Sequence, residues 1–216
     1  MIITRPRARS RLAAIGMAAV TGCGGAAVTR QATAPDTWLD PTYHTSPTIV
    51  PAVAIAPAPF TGTLAERIDQ GLERAIMDTP GNELRIQAGT VRQRMNANRE
   101  FVGVMDRIVK LKYAPKDFPS ANLRSVLTLK ELEDLRTALG AATMLLLPVE
   151  FTVQSAPKSA SGQALYRAYS LDSGRLLAQK RFARRASSGG DAGEREVTVG
   201  LILDIQDDFS KHLVAQ

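Results

Sequence analysis

The sequence predicts an α/β (α+β) domain over residues 48–216, built as one mixed, largely antiparallel sheet with helices packed on it. Three observations lead there. Segments with helical apolar spacing alternate with short apolar or alternating runs, in the order strand, helix, strand, helix, helix, strand, strand, strand, helix. The last three strands follow one another with a Ser/Gly/Lys loop and a hairpin turn between them and no helix, which predicts an antiparallel meander. The 169 residues from Thr48 to Gln216 suit one domain with a real core, and a domain of that size buries ~70% of its unfolded surface.

Taken in order, Thr48–Ala56 reads as the first strand, with Pro51 in its first half and Pro57 just past its end. Thr63-Leu-Ala-Glu66 has capping-box spacing, and Leu64, Ile68, Leu72, Ala75 and Ile76 then share one helical face. Asp78-Thr79-Pro80-Gly81 ends that helix, and Glu83–Ala88 is a short strand. Residues 90–112 place Val91, Met95, Val102, Met105 and Val109 at helical spacing, although Ile108–Tyr113 alternates apolar and basic. Helix is the favoured reading, with Pro115 and Pro119 bracketing a loop after it.

A second capping box, Thr128-Leu-Lys-Glu131, opens the clearest helix. Leu129, Leu132, Leu135 and Leu139 form its expected buried stripe, and Gly140 stands where a C-terminal cap belongs. Ala142–Val153 follows as an apolar strand interrupted by Pro148. A Ser/Gly/Lys loop leads to the strand Gln163–Leu171, and Asp172-Ser173-Gly174 turns the chain into Arg175–Phe182. Ser187–Gly193 reads as a flexible loop, and Val197–Val214 as a closing helix with Leu201, Ile205, Phe209 and Leu213 on one face.

Before the domain, the first eleven residues hold Arg5, Arg7, Arg9 and Arg11 and no acid, and Leu12–Val20 is uncharged. A basic start, a short apolar run and small residues make a secretory signal peptide, residues 1–22. A spanning helix needs ~20 apolar residues, so this segment is expected to be removed. Val20-Thr21-Gly22-Cys23 resembles the bacterial lipobox. The resemblance implies that Cys23 becomes the mature N-terminus and is acylated, anchoring the chain to membrane lipid. Since the residue after it is Gly24 rather than Asp, resemblance to lipoproteins of two-membrane cells implies the outer membrane, facing the periplasm. Cys23 is the only cysteine, so no disulfide can form within the chain. Residues 23–47, rich in Gly, Ala, Thr and Pro, read as a flexible tether, within which Trp38, Leu39 and Tyr43 are expected to pack on the body.

Charge excludes one function class. The chain has 27 basic and 21 acidic residues, but four of the basic ones lie in the leader. The processed chain keeps 23 basic against 21 acidic residues, a net of +2, so the high isoelectric point does not indicate a nucleic-acid partner. No run of 18 apolar residues occurs after the leader, which excludes a bundle of membrane helices.

Residues with chemical potential are few. The two histidines, His44 and His212, and the lone cysteine preclude a His/Cys metal cluster, and no cofactor is expected. No nucleophile-elbow, P-loop or HExxH motif occurs. Asp204, Asp207 and Asp208 cluster on the last helix and read as a solvated face. Lys180, Arg181, Arg184 and Arg185 form the densest basic patch, with Arg195 a possible addition, and are the candidate site for an anionic partner. Two functions remain. One is a non-catalytic, membrane-anchored interaction or assembly factor of the cell envelope, with envelope proteins as partners. The other is a hydrolase using acids alone, such as Glu150 with Asp172 or Asp204.

The body also resembles a group of exported domains. Leu135-Arg-Thr-Ala-Leu-Gly-Ala-Ala-Thr-Met-Leu-Leu-Leu147 and Tyr169-Ser-Leu-Asp-Ser-Gly-Arg-Leu-Leu-Ala178 are similar to the helix-to-strand and hairpin segments of the curli-secretion lipoprotein, the TolB N-terminal domain and the lipoprotein activators of penicillin-binding proteins. Ser170 stands where that group has Asp, and Ser173 where it has Thr. The resemblance covers residues 48–216 and implies an envelope role in secretion, assembly or regulation of cell-wall synthesis.

Overall fold

A computed structural model describes residues 37–45, 50–111 and 121–214. The chain divides into units Met1–Gln31 and Ala32–Gln216, and all described residues belong to the second. The predicted signal peptide, Cys23, most of the predicted tether and the loop with Pro115 and Pro119 lie outside the described residues. Among the described residues no helix is long and apolar enough to cross a membrane.

The fold is, among the described residues, one six-stranded mixed sheet with five helices packed on its two faces. Its strands are β1 (Thr37–Leu39), β2 (Ala52–Ile55), β3 (Glu83–Ile86), β4 (Met144–Ala156), β5 (Ser159–Ser170) and β6 (Leu176–Ala186). The helices are α1 (Thr63–Met77), α2 (Ala88–Ala97), α3 (Arg99–Lys110), α4 (Leu129–Ala138) and α5 (Gly190–His212), and a 3-10 turn spans Leu123–Ser125. The sheet order is β1-β6-β5-β4-β2-β3. β2 runs parallel to both β3 and β4, and the other pairs are antiparallel. β2 sits between two strands and under helices on both faces, and all four of its residues are buried. An unbroken Ala-Val-Ala-Ile run is what that position demands.

Two cores result. On one face α1 and α5 cover Val53, Ile55, Met144, Leu146 and Tyr166 with Ile68, Leu72, Leu201 and Phe209. On the other, α2, α3 and α4 cover Ala54, Leu145, Leu147 and Tyr169 with Val91, Met105 and Leu135. A bulge at Pro148/Glu150 shifts the β4 register. Before it Met144 and Leu146 face the α1–α5 layer, and after it Phe151 and Val153 do so.

The two capping boxes behave differently. Thr128 accepts the Glu131 amide at 3.2 Å while Glu131 accepts the Thr128 amide at 2.8 Å, so the predicted box opens α4. Thr63 does not cap α1. Gly62, at φ 105°, is the cap residue, the Glu66 amide bonds the Gly62 carbonyl at 3.2 Å, and Thr63 is already helical. The expected helix over 90–112 is broken in two at Asn98, whose extended backbone stops α2 and whose side chain accepts the Glu100 amide at 2.9 Å to start α3. On α4, Leu132, Leu135 and Leu139 are buried as expected, but Leu129 is 63% exposed because the first helical position turns away from the core. Gly140, at φ 67°, closes α4 in the left-handed conformation.

Glu131 also makes a testable point about pH. It accepts Arg107 at 2.5 Å, and that bond, followed by those from Thr128, lowers its pKa to about 2. A carboxyl held low in the folded state contributes stability above its unfolded pKa and loses it as pH falls through the folded value. The α3–α4 link should therefore hold down to about pH 4 and weaken toward pH 2. Carboxyl chemical shifts of Glu131 titrating near pH 4.5 would contradict this.

The meander is more extended than predicted. Pro157 and Lys158 alone join β4 to β5, so the expected Ser/Gly/Lys loop is a tight hairpin whose residues Ser159–Gly162 are strand. Gly174, at φ 75°, makes the predicted turn to β6, which runs to Ala186 rather than Phe182. α5 begins at Gly190, so only Ser187–Gly189 remain of the predicted loop. Part of the predicted tether belongs to the sheet. Thr37–Leu39 pairs with Lys180–Ala178, Trp38 packs on the α2–α4 core, and the Tyr43 hydroxyl donates to the Leu213 carbonyl at 2.9 Å. Asp40, 2% exposed, accepts Arg175 at 2.6 Å and fixes the end of β1.

Candidate functional site

β6 places the four predicted basic residues, and its two-residue period divides them. Lys180 and Arg184 project toward α5, while Arg181 and Arg185 project to the opposite face. The predicted patch is therefore two half-patches back to back. Arg195 joins neither, because it lies on α5 in a groove with Arg67 and Arg74 of α1.

On the α5 side the cations are engaged by the helix. Lys180 pairs with Asp208 Oδ1, and its ammonium lies 5.3 Å from the centre of the Phe182 ring. Phe182 in turn stacks on Tyr166, with ring centroids 6.2 Å apart. The Tyr166 hydroxyl donates to Asp208 Oδ2 at 2.5 Å. Burial pushes the Tyr166 phenol well above its usual range, and the adjacent Asp208 charge adds to the shift. His212 Nε2 lies 3.6 Å from Asp208 Oδ1. Further along, Arg184 grips Asp204 with two nitrogens, Nε at 2.6 Å and Nη2, and its aliphatic stem lies over Gly200.

The sequence reading of Asp204, Asp207 and Asp208 as a solvated face holds for Asp207, which meets Lys211 at an exposed site. It fails for Asp208, which is 5% exposed. The signal was present in the spacing. Asp208 falls three residues after Ile205 and one before Phe209, on the stripe that faces the sheet.

The opposite face has another character. Past the bulge, helices no longer cover it. Thr152, Gln154, Ser161, Gln163, Ala183 and Arg185 form a polar sheet surface. Arg181 borders it, paired with Glu150 at 2.9 Å. Arg185 is exposed and makes no ion pair among the described residues. This end of the meander, with one covered face and one open polar face, is the candidate interaction surface.

The carboxylates named for hydrolysis are not brought together. Glu150 pairs with Arg181 on the open face, Asp204 with Arg184 on the α5 face, and Asp172 with Arg136 at 3.1 Å beside the turn at the far end of β5. Among the described residues no three His, Cys, Asp or Glu side chains gather as a metal site.

No protein-family model matches the chain, and no curated protein does. Among solved structures it is similar to the PelC dodecamer from Paraburkholderia phytofirmans, at 13% identity, 76% of this chain, 88% of that chain and a TM-score of 0.43. It is similar to lipoprotein GNA1162 from Neisseria meningitidis, at 11% identity, 74% of this chain, 99% of that chain and a TM-score of 0.41. It is also similar to the hypothetical protein CT253 from Chlamydia trachomatis, at 11% identity, 73% of this chain, 96% of that chain and a TM-score of 0.40. Likenesses of this size assign neither a family nor a partner.

Proposed function

We propose that this chain is an exported lipoprotein, processed before Cys23, acylated there, and held at the outer membrane facing the periplasm. In this reading it is a non-catalytic interaction factor of the cell envelope, acting in secretion, assembly or regulation of cell-wall synthesis. The lipobox Val20-Thr21-Gly22-Cys23 supports the anchor. The open polar face of β4–β6, with Arg185 at its margin, supports docking. Arg181 and Arg184 contribute positive field there although each already holds a carboxylate. Lys180 serves chiefly to seat α5, since its side chain is 31% exposed and pairs with the buried Asp208.

The test uses the full chain expressed in a two-membrane bacterium. Wild type should sediment with outer membranes, with an intact mass showing acyl chains on a polypeptide that begins at Cys23, while Cys23→Ser should be soluble or unprocessed. An unmodified chain beginning at Met1 would refute the anchor. Docking is tested separately by crosslinking in the envelope. The triple variant Arg181→Gln, Arg184→Gln, Arg185→Gln removes two exposed charges and the half-buried Arg181, whose partner Glu150 is itself half-exposed, so each lost pair is worth ~0–1 kcal/mol and folding should be nearly unchanged. Crosslinked partner should fall, most visibly at low salt. Equal yields across the salt range would make this surface solvent-facing and nothing more.

A further inference from the structure

We propose that β6 takes up an extended acidic peptide strand of a partner protein, paired through backbone hydrogen bonds along its outer edge from Phe182 to Ala186. This rests on the docking reading above and names how the partner is held. Among the described residues, β1 lies alongside β6 at Ala178–Lys180. Among the described residues no strand lies outside Phe182–Ala186, whose inner edge pairs regularly with β5 from Ala164 to Ala160. The edge has no proline, and no bulge interrupts it there. Proline and bulges are two of the devices that block strand addition; edge charges are a third, and here Arg184 and Arg185 supply them against any partner that is not acidic.

Two independent hydrogen bonds fix which backbone groups point outward. Asp40 N–H donates to the Leu177 carbonyl at 2.8 Å on the β1 side. Leu171 N–H donates to the Thr143 carbonyl at 2.8 Å on the β4 side, which turns the odd-numbered residues of β5 toward β4 and the even-numbered ones toward β6. Gly162 and Ala164 then face Arg184 and Phe182. By alternation Ala183 and Arg185 present their N–H and C=O groups to the outside, and both deductions agree.

The side chains specify the occupant. Arg185 projects beside the outward groups with Thr152, Gln154, Ser161 and Gln163 on the same face. A strand paired outside β6 would lie one strand spacing, about 4.8 Å, from Arg185 and two or three from the β5 and β4 residues, so carboxylates at alternate positions would meet Arg185. A second copy of β6 is the wrong partner, since antiparallel self-pairing sets arginines against arginines, and like charges opposite one another destabilise a sheet.

The experiment uses the full lipidated chain in detergent micelles and a fluorescein-labelled peptide, Thr-Glu-Thr-Glu-Thr-Glu, read by anisotropy at low salt. Two further peptides are N-methylated on alternate residues, one in each phase. One phase should bind like the unmodified peptide and the other at least tenfold more weakly, because only one set of amides meets β6. Ala183→Pro removes an outward donor and leaves the bonds to β5. It should also weaken binding tenfold, with the circular dichroism and melting temperature unchanged. Arg185→Gln should weaken binding and flatten its salt dependence. If both methylated phases bind equally, side chains alone hold the peptide: strand addition is then wrong while the docking reading stands. If wild type binds no peptide at any salt, the edge is guarded by its arginines or taken by the chain's own residues before Thr37, and the proposal fails. The envelope crosslinking then decides the docking reading by itself.

Discussion

Asp208→Ala should destabilise the protein by about 3 kcal/mol in urea unfolding at pH 7, lowering Tm by roughly 6–12 °C at this chain length. The carboxylate has two dependants. The Tyr166 hydroxyl, on a residue 1% exposed, loses its acceptor, and an orphaned buried donor costs about 1–3 kcal/mol. Lys180 loses its counter-charge on a side chain only 31% exposed. Breaking a buried pair by deleting one member costs about 3–5 kcal/mol, but Lys180 can swing its ammonium into water, which trims the total. Tyr166→Phe removes one hydrogen bond and leaves the ion pair, so it should cost about 1 kcal/mol. A double change, Asp208→Ala with Lys180→Met, should recover part of the loss because no unpaired charge remains. A loss below about 1 kcal/mol for Asp208→Ala would show that the network does not anchor α5 and that the Lys180 pair is worth no more than a surface one.

That network marks the boundary between what the sequence reveals and what it conceals. Strands β4–β6 were legible because a long apolar run and Asp172-Ser173-Gly174 announce them without reference to anything distant. The second capping box was legible for the same reason, since both partners lie within four residues. The first box has the same letters and fails, because Gly62 can adopt φ 105° and ends the loop one residue earlier. β1 was not legible. Three residues in a proline-flanked polar stretch have no local reason to be strand, and their pairing with Lys180–Ala178 spans most of the chain. The site suffered from a boundary error. With β6 ended at Phe182, Arg184 and Arg185 read as loop and the four cations as one patch. Extending the two-residue period to Ala186 splits them between faces and uncovers the outward backbone groups of Ala183 and Arg185. The bulge at Pro148 is the only local sign that β4 changes the faces of its later residues.

Gly189→Ala should cost about 3 kcal/mol, at the upper end of what overpacking inflicts, although its φ of −108° suits any residue. The reason is a close approach of two backbones. A Cβ at Gly189 would lie 2.1 Å from the Ala156 carbonyl oxygen and 2.4 Å from the Pro157 carbonyl carbon. Side chains can rotate away from such contacts, but these atoms belong to the β4–β5 turn and can yield only by moving the hairpin or α5. Gly190 is the internal control. It has φ 62° and nothing within 4 Å of a built Cβ, so Gly190→Ala should cost only the left-handed penalty of about 1–2 kcal/mol. The two variants should also differ in where they act. Gly189→Ala should shift the amide resonances of Lys158–Gly162 and the first turn of α5, and loosen the same hairpin that lines the open polar face beside Arg185. Peptide or partner binding should therefore fall with Gly189→Ala and survive Gly190→Ala. Equal stability of the two variants would mean that the turn gives way freely, and that the seat of α5 on the hairpin does not hold the docking surface in shape.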